Sequence, residues 1–158
     1  VKEAMFSMIQ NYIYEAEVLD LFSGSGALAL ESISRGAKKA IICDKSKKAI
    51  QIIKKNIQKT HFDNEIQIVN KDYKKALEEL KNKKFDIIFL DPPYKTDFGK
   101  EAIKIILKNE MLEEDGIMIF ETDKEDTYIE STKELAKVIG IRKYGRVKLI
   151  LLCRKESM

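Results

Sequence analysis

Apolar positions along the chain fall into two alternating kinds of block. Short, largely apolar runs at Val18–Phe22, Ala40–Cys43, Ile66–Val69, Ile87–Leu90 and Gly116–Glu121 predict strands. Between them, apolar residues recur at helical spacing over Ala27–Arg35, Lys47–Lys59, Tyr73–Lys81, Lys100–Asn109 and Ser131–Lys137. In the longest of these, Ala49, Ile50, Ile53 and Ile57 form one face, lysines cover the other, and Ser46 can cap the start. Strands separated by helices require right-handed crossovers and a parallel sheet covered on both faces. The tail breaks this rhythm. Val138–Tyr144 and Val147–Arg154 are strand-like and joined only by Gly145 and Arg146, a link that permits nothing but an antiparallel hairpin. Without a repeat, a low-complexity linker or a break in composition, residues 1–158 are expected to form one α/β domain.

Composition narrows the class. A chain of 158 residues with 44% hydrophobic and 35% charged positions is long enough to bury roughly 70% of its unfolded surface without staples. Its apolar runs are far shorter than the roughly 20 residues of a membrane helix, and no secretory signal pattern opens the sequence. A cytoplasmic monomer with no membrane association is expected. Cys43 and Cys153 each lie inside an apolar run and read as buried strand thiols in a reducing compartment. His61 is the single histidine, so a zinc site of standard spacing is excluded and no metal is expected. The formal net charge is +3, with 25 lysines against 4 arginines, compatible with a nucleic-acid partner without demanding one. The lysine clusters Lys45–Lys48, Lys54–Lys55 and Lys81–Lys84 could touch phosphates, but most read as solvated helix faces.

Ligands of parallel α/β sheets sit beyond the carboxyl ends of the strands. Here those ends are Asp20–Gly26, Asp44, Asp72 and Asp91–Tyr94. The run Asp20-Leu21-Phe22-Ser23-Gly24-Ser25-Gly26 lets the backbone turn tightly beside unpaired N–H groups of the next helix, a place for a nucleotide-like ligand. Asp44 can accept two ribose hydroxyls or cap a helix. Asp72 can reach an adenine amine or cap the helix after it. A dinucleotide fingerprint would want a third glycine near Ala29, and a phosphate-cradling loop would want Gly-Lys-Ser/Thr. Neither is present, though a nicotinamide dinucleotide and S-adenosylmethionine both remain open at this point.

The tetrapeptide Asp91-Pro92-Pro93-Tyr94 is more specific. Two prolines stop the strand and remove two backbone donors, leaving carbonyls and a carboxylate. The matching ligand group is an amine with two N–H bonds, such as the exocyclic amine of a base. That amine is a poor nucleophile because its lone pair is conjugated with the ring. Asp91 and the Pro92 carbonyl can hold its two hydrogens so that the lone pair faces a methyl donor, and Tyr94 can stack on the base. Lys95 lies beside this loop as a candidate for a substrate phosphate.

Together with Val1-Lys2-Glu3-Ala4-Met5-Phe6, the Val18–Glu31 block, Ser34-Arg35-Gly36-Ala37 and the hairpin at Tyr144-Gly145, these motifs resemble the RsmD family, bacterial methyltransferases that act on the guanine-N2 amine of 16S ribosomal RNA. The resemblance implies a class I S-adenosylmethionine-dependent methyltransferase fold with a seven-stranded, mostly parallel sheet ending in an antiparallel hairpin. It implies S-adenosylmethionine as donor, with Asp20, Gly24 and Gly26 on its methionine side, Phe22 and Ser25 in the same binding turn, Asp44 at its ribose and Asp72 near its adenine. Asp91, Pro92, Pro93 and Tyr94 become the catalytic loop. The 16S RNA, free or in the assembling small subunit, becomes the partner. Family members carry a basic Arg-Pro-Thr arm ahead of the position of Val1, and such an arm is expected to precede it in the natural protein. Two other readings stand beside this one: a DNA adenine-N6 or cytosine-N4 amino-methyltransferase, and a non-catalytic RNA-binding relative.

Overall fold

A computed structural model of the chain describes residues 2–91, 96–123, 130 and 132–155. Among them, seven strands form one sheet in the order β3-β2-β1-β4-β5-β7-β6. The strands are β1 (Glu17–Leu21), β2 (Lys39–Cys43), β3 (Ile66–Val69), β4 (Phe85–Leu90), β5 (Leu112–Thr122), β6 (Ala136–Tyr144) and β7 (Val147–Arg154). The first five run parallel, with β1 between β2 and β4. Strand β7 inserts antiparallel between β5 and β6, so the tail hairpin closes the sheet as its sequence predicts.

Among the described residues, five α-helices cover the two faces: α1 (Lys2–Ile9), α2 (Ala27–Ser34), α3 (Lys47–Thr60), α4 (Tyr73–Leu80) and α5 (Phe98–Lys108). Alternation along the strands divides the core accordingly. In β4, Ile88 and Leu90 face the layer that contains Leu77 of α4 and Ile103 of α5. Ile87 and Phe89 face the layer that contains Phe6 of α1, Leu30 of α2 and Ile53 of α3. Strand β1 follows the same period with one exception. Leu19 and Leu21 point to the first layer and Val18 to the second, but the next second-layer position is Asp20, only 1% exposed.

Local chemistry sets the helix ends. The Ser46 hydroxyl accepts the Ala49 N–H at 3.2 Å to start α3, and His61 ends it in the left-handed conformation. Asp72 caps α4 by accepting the Lys75 N–H at 3.1 Å.

Three expectations need correction. Strand β5 starts four residues earlier than Gly116 because Leu112 already pairs with Phe85. The charged Glu113-Glu114-Asp115 excursion reads as a loop in sequence. Gly116 suits this close approach, since an added Cβ would lie 2.9 Å from the Leu112 Cδ1 and 3.0 Å from the Glu113 and Phe85 carbonyl oxygens. The predicted helix at Ser131–Lys137 does not run its length: β6 begins at Ala136, where pairing with Arg154 overrides the helix propensity of the preceding residues. Ser131 itself lies outside the described residues. Cys153 is partly exposed near the end of β7, whereas Cys43 is buried as expected.

Helix α1 is fastened to the sheet by Phe6, fully buried with its ring 5.8 Å from Phe89 and the Arg35 guanidinium 4.7 Å above it. Glu31 of α2 binds Lys2 at 3.1 Å and Arg35 at 2.9 Å. Hydrogen bonds from Arg35 and then Lys2 hold its carboxyl below the usual range. Phe6→Ala is expected to cost about 3–5 kcal/mol in urea unfolding. Tyr14→Ala, at a side chain 74% exposed, should cost less than about 0.5 kcal/mol.

Candidate functional site

The site begins at Asp20. The α2 N-cap is Gly26, which has no side chain to offer the orphan N–H groups of the first turn. Asp20 supplies it from below: its carboxylate accepts the Ala29 N–H and, at 2.9 Å, the Ser23 hydroxyl. No lysine or arginine pairs with it among the described residues. Burial outweighs both hydrogen bonds, and with repulsion from Asp91 and Asp44 it pushes the Asp20 pKa up to about 7.

Above Asp20 the chain turns through three residues of positive φ: Phe22 at 64°, Gly24 at 68° and Gly26 at 79°. Each glycine has its own reason. A Cβ on Gly26 would crowd Ile42 at 3.3 Å and Ile53 at 3.4 Å, whereas one on Gly24 would meet nothing within 4 Å. The Gly24 backbone therefore faces open space beside the turn. Phe22 adopts a conformation unfavourable for a bulky residue, the kind of local strain that collects at binding sites. The turn is tied down by the Gly24 N–H to Asp44 at 2.9 Å, the Ser23 N–H to the Cys43 carbonyl at 3.1 Å and the Asn56 amide to the Ser25 carbonyl at 3.0 Å.

Asp44 sits at the end of β2 with both oxygens in use, Oδ2 on the Gly24 N–H and Oδ1 on the Ser46 N–H at 2.8 Å. Each oxygen keeps a lone pair for a further donor. A cleft of about 330 Å³ opens past it, with Asp44 and Asp72 on its rim. Three aromatic rings form its wall: Tyr73 lies 5.2 Å from Phe22 and 4.8 Å from Phe98, and the Phe22 and Phe98 rings are stacked. The Tyr73 hydroxyl donates to Glu101; burial, then this bond, raises its pKa. Cys43 also lines the cleft, its thiol pushed up to about 12 by burial and so unsuited to act as a nucleophile.

A second cleft of about 270 Å³ lies over the ends of β1 and β4, where Asp20, Ser23 and Ser25 meet Asp91, Glu121 of β5 and Lys2 of α1. Asp91 reaches the surface, yet the surrounding protein removes enough water to hold its carboxyl above the usual range. Asp20, Phe22, Gly24, Ser25, Gly26, Asp44, Asp72 and Asp91 thus gather at one edge of the sheet. Pro92, Pro93, Tyr94 and Lys95 lie outside the described residues. Sequence reasoning missed Tyr73, Phe98, Asn56 and Glu121. Tyr73 directly follows Asp72 and could have been suspected; the others are brought in by helices and strands packed from elsewhere in the chain.

These residues fit a cationic nucleoside. The apolar wall suits a flat base, the acidic rim suits sugar hydroxyls, and the uncompensated carboxylates suit positive charge. Among the described residues no group of three or more His, Cys, Asp or Glu side chains could hold a metal ion.

Comparison with known proteins agrees with this architecture. The family described as "Conserved hypothetical protein 95" matches residues 1–153. Ribosomal RNA small subunit methyltransferase D of Haemophilus influenzae is 34% identical over 131 residues, 82% of this chain and 68% of that protein. YlbH of Bacillus subtilis is 39% identical over 137 residues, 85% of this chain and 74% of that protein. A conserved hypothetical protein of Streptococcus pyogenes superposes with a TM-score of 0.84 at 31% identity, covering 98% of this chain and 96% of the other. The sheet order and its antiparallel end are those of the class I S-adenosylmethionine-dependent methyltransferase fold. The chain belongs to the conserved hypothetical protein 95 family, the RsmD family that its glycine turn and Asp-Pro-Pro-Tyr loop resemble.

Proposed function

We propose that this protein, acting through residues 1–158 as one catalytic domain, is a ribosomal RNA methyltransferase that modifies the N2 amine of a guanine in the small-subunit RNA. The observation that carries the choice of base is the pair of carboxylates, Asp91 and Glu121, lining one cleft. An ionised carboxylate only accepts hydrogen bonds. Guanine presents the N1–H beside its N2 amine, so two acceptors match its edge. Adenine and cytosine each present a ring-nitrogen acceptor beside the amine, which a second carboxylate would repel. The name of the Haemophilus influenzae relative supports small-subunit RNA as the substrate class.

Bound S-adenosylmethionine supplies an electrophilic methyl group on a sulfonium. The protein does the rest by position and charge. The aromatic wall and Asp72 take the adenine, Asp44 the ribose, and the Gly24 backbone with Asp20 the methionine end. Asp91 accepts one N2–H and so draws the nitrogen lone pair out of conjugation. The Pro92 carbonyl takes the other hydrogen, and Tyr94 stacks on the base. Formation of the N–CH3 bond would be matched by cleavage of the S–CH3 bond, with S-adenosylhomocysteine leaving as a neutral thioether, and the proton lost from the nitrogen would pass to Asp91, made more basic than an ordinary carboxylate by desolvation.

Tritiated donor offered with 16S RNA, assembled small subunits and duplex DNA, followed by nucleoside analysis, is expected to yield N2-methylguanosine from RNA alone. N6-methyladenine or N4-methylcytosine as the product would overturn the assignment. Asp91→Ala should lower methyl transfer at least about 1000-fold, more than one lost hydrogen bond costs because positioning goes with it. Its affinity for S-adenosylmethionine should stay within about threefold by calorimetry. Turnover like that of the unaltered protein would refute the role given to Asp91.

A further inference from the structure

Charge is unevenly divided along the chain. Residues 136–155, the β6–β7 hairpin, contain seven lysines and arginines and no aspartate or glutamate. The remainder of the chain is therefore net acidic, although the whole carries +3. Within the hairpin the charge concentrates at the tip, where residues 141–146 are all exposed: Ile141, Arg142, Lys143, Tyr144, Gly145 and Arg146. None of Arg142, Lys143 and Arg146 forms an ion pair among the described residues. Lys143 stands directly across from Lys148 in the ladder.

The register shows where this tip points. Lys148 pairs with Thr122, adjacent to Glu121 of the base-receiving cleft, so the hairpin turn lies at the same edge of the sheet as Asp91. From β4 to β6 is three strand spacings, about 14 Å at ~4.8 Å each, within reach of nucleotides flanking one held at Asp91.

We propose that the β6–β7 hairpin tip is an RNA-binding surface. Arg142, Lys143 and Arg146 take phosphates on either side of the target nucleotide, and Tyr144, 37% exposed among them, offers a ring to an unpaired base. This rests on the RNA substrate proposed above and adds where that RNA is gripped. The acidic cleft repels a phosphate chain but accepts a base; the hairpin attracts the chain and leaves the base to the cleft. Charge segregation of this kind orients the substrate as well as binding it.

The test compares the unaltered protein with Arg142→Ala/Lys143→Ala/Arg146→Ala, using a 16S RNA transcript as probe over a series of KCl concentrations. A control, Lys39→Ala/Lys83→Ala/Lys84→Ala, removes equal charge from the opposite edge of the sheet. The hairpin variant is expected to bind RNA at least tenfold more weakly at about 0.1 M salt, with the slope of log K against log salt smaller by about 2. S-adenosylmethionine affinity, measured alongside, should be unchanged in both variants and reports that each is folded. The control should bind RNA within about threefold of the unaltered protein. Arg142→Lys/Arg146→Lys should keep most of the affinity, because a phosphate needs charge more than a fork. If the unaltered protein methylates the RNA and the hairpin variant binds it equally well with the same salt slope, the hairpin proposal falls alone. If the unaltered protein neither binds nor methylates RNA, the RNA reading falls with it.

Discussion

Burying the Asp20 carboxylate in β1 costs free energy that no cation among the described residues offsets, and the carboxyl edge of the sheet is arranged around that cost. The same oxygens cap α2 through the Ala29 N–H and anchor the Ser23 hydroxyl. They thus fix the direction in which the chain leaves β1 and the place where Gly24 exposes its backbone. An asparagine could make similar hydrogen bonds without the charge. The carboxylate therefore makes physical sense as one half of an interaction whose other half arrives with a cationic ligand.

Around that centre the molecule separates two kinds of electrostatic surface. Asp20, Asp44, Asp72, Asp91 and Glu121 make the ends of the central strands an acceptor-rich surface, suited to a cationic donor and to a base edge that presents N–H groups. The basic surplus is displaced to the antiparallel hairpin, at the far side of the sheet from β3. A +3 net charge is a poor description of such a protein; it averages acidic strand ends with a basic hairpin. Helix α1 reaches from the core to the acidic edge. Held by Phe6 and by the Glu31 pairs, it contributes Lys2 to the cleft wall.

Much of this was legible in the residues before the structure. Parallel strands are buried on both faces and announce themselves as apolar runs, so β1 to β4 and the hairpin could be placed within a residue or two. Strand ends in an α/β sheet are also where side chains meet, and Asp20, Asp44, Asp72 and Asp91 converge as their positions implied. Asp72 turned out to cap α4 while lining the cleft, so its two sequence readings are not exclusive. What escaped was set by contacts distant in sequence. Glu113-Glu114-Asp115 looks like a loop because the pairing of Leu112 with Phe85 is invisible to local pattern. Ala136 looks helical because its partner is Arg154. Phe98 joins the aromatic wall only once α5 packs beside α4, and Glu121 gains meaning only when β5 is placed beside β4.

The charge state of Asp20 has a definite thermodynamic consequence. Its pKa of about 7 lies above the 3.8 of an unfolded aspartate, so between those values the folded protein holds a proton that the unfolded chain releases. Stability from this group is therefore complete below about pH 4 and is lost as pH rises to about 7. In the complex proposed above, a cationic donor beside it would favour the ionised form, lower its pKa and expel the proton on binding. Carboxyl-carbon NMR titration of Asp20, with and without saturating S-adenosylmethionine, tests this directly. The midpoint is expected near 7 in the free protein and well down, toward the ordinary carboxylate range, in the complex. A midpoint near 4 in the free protein, or one near 7 that the donor leaves unmoved, would contradict it.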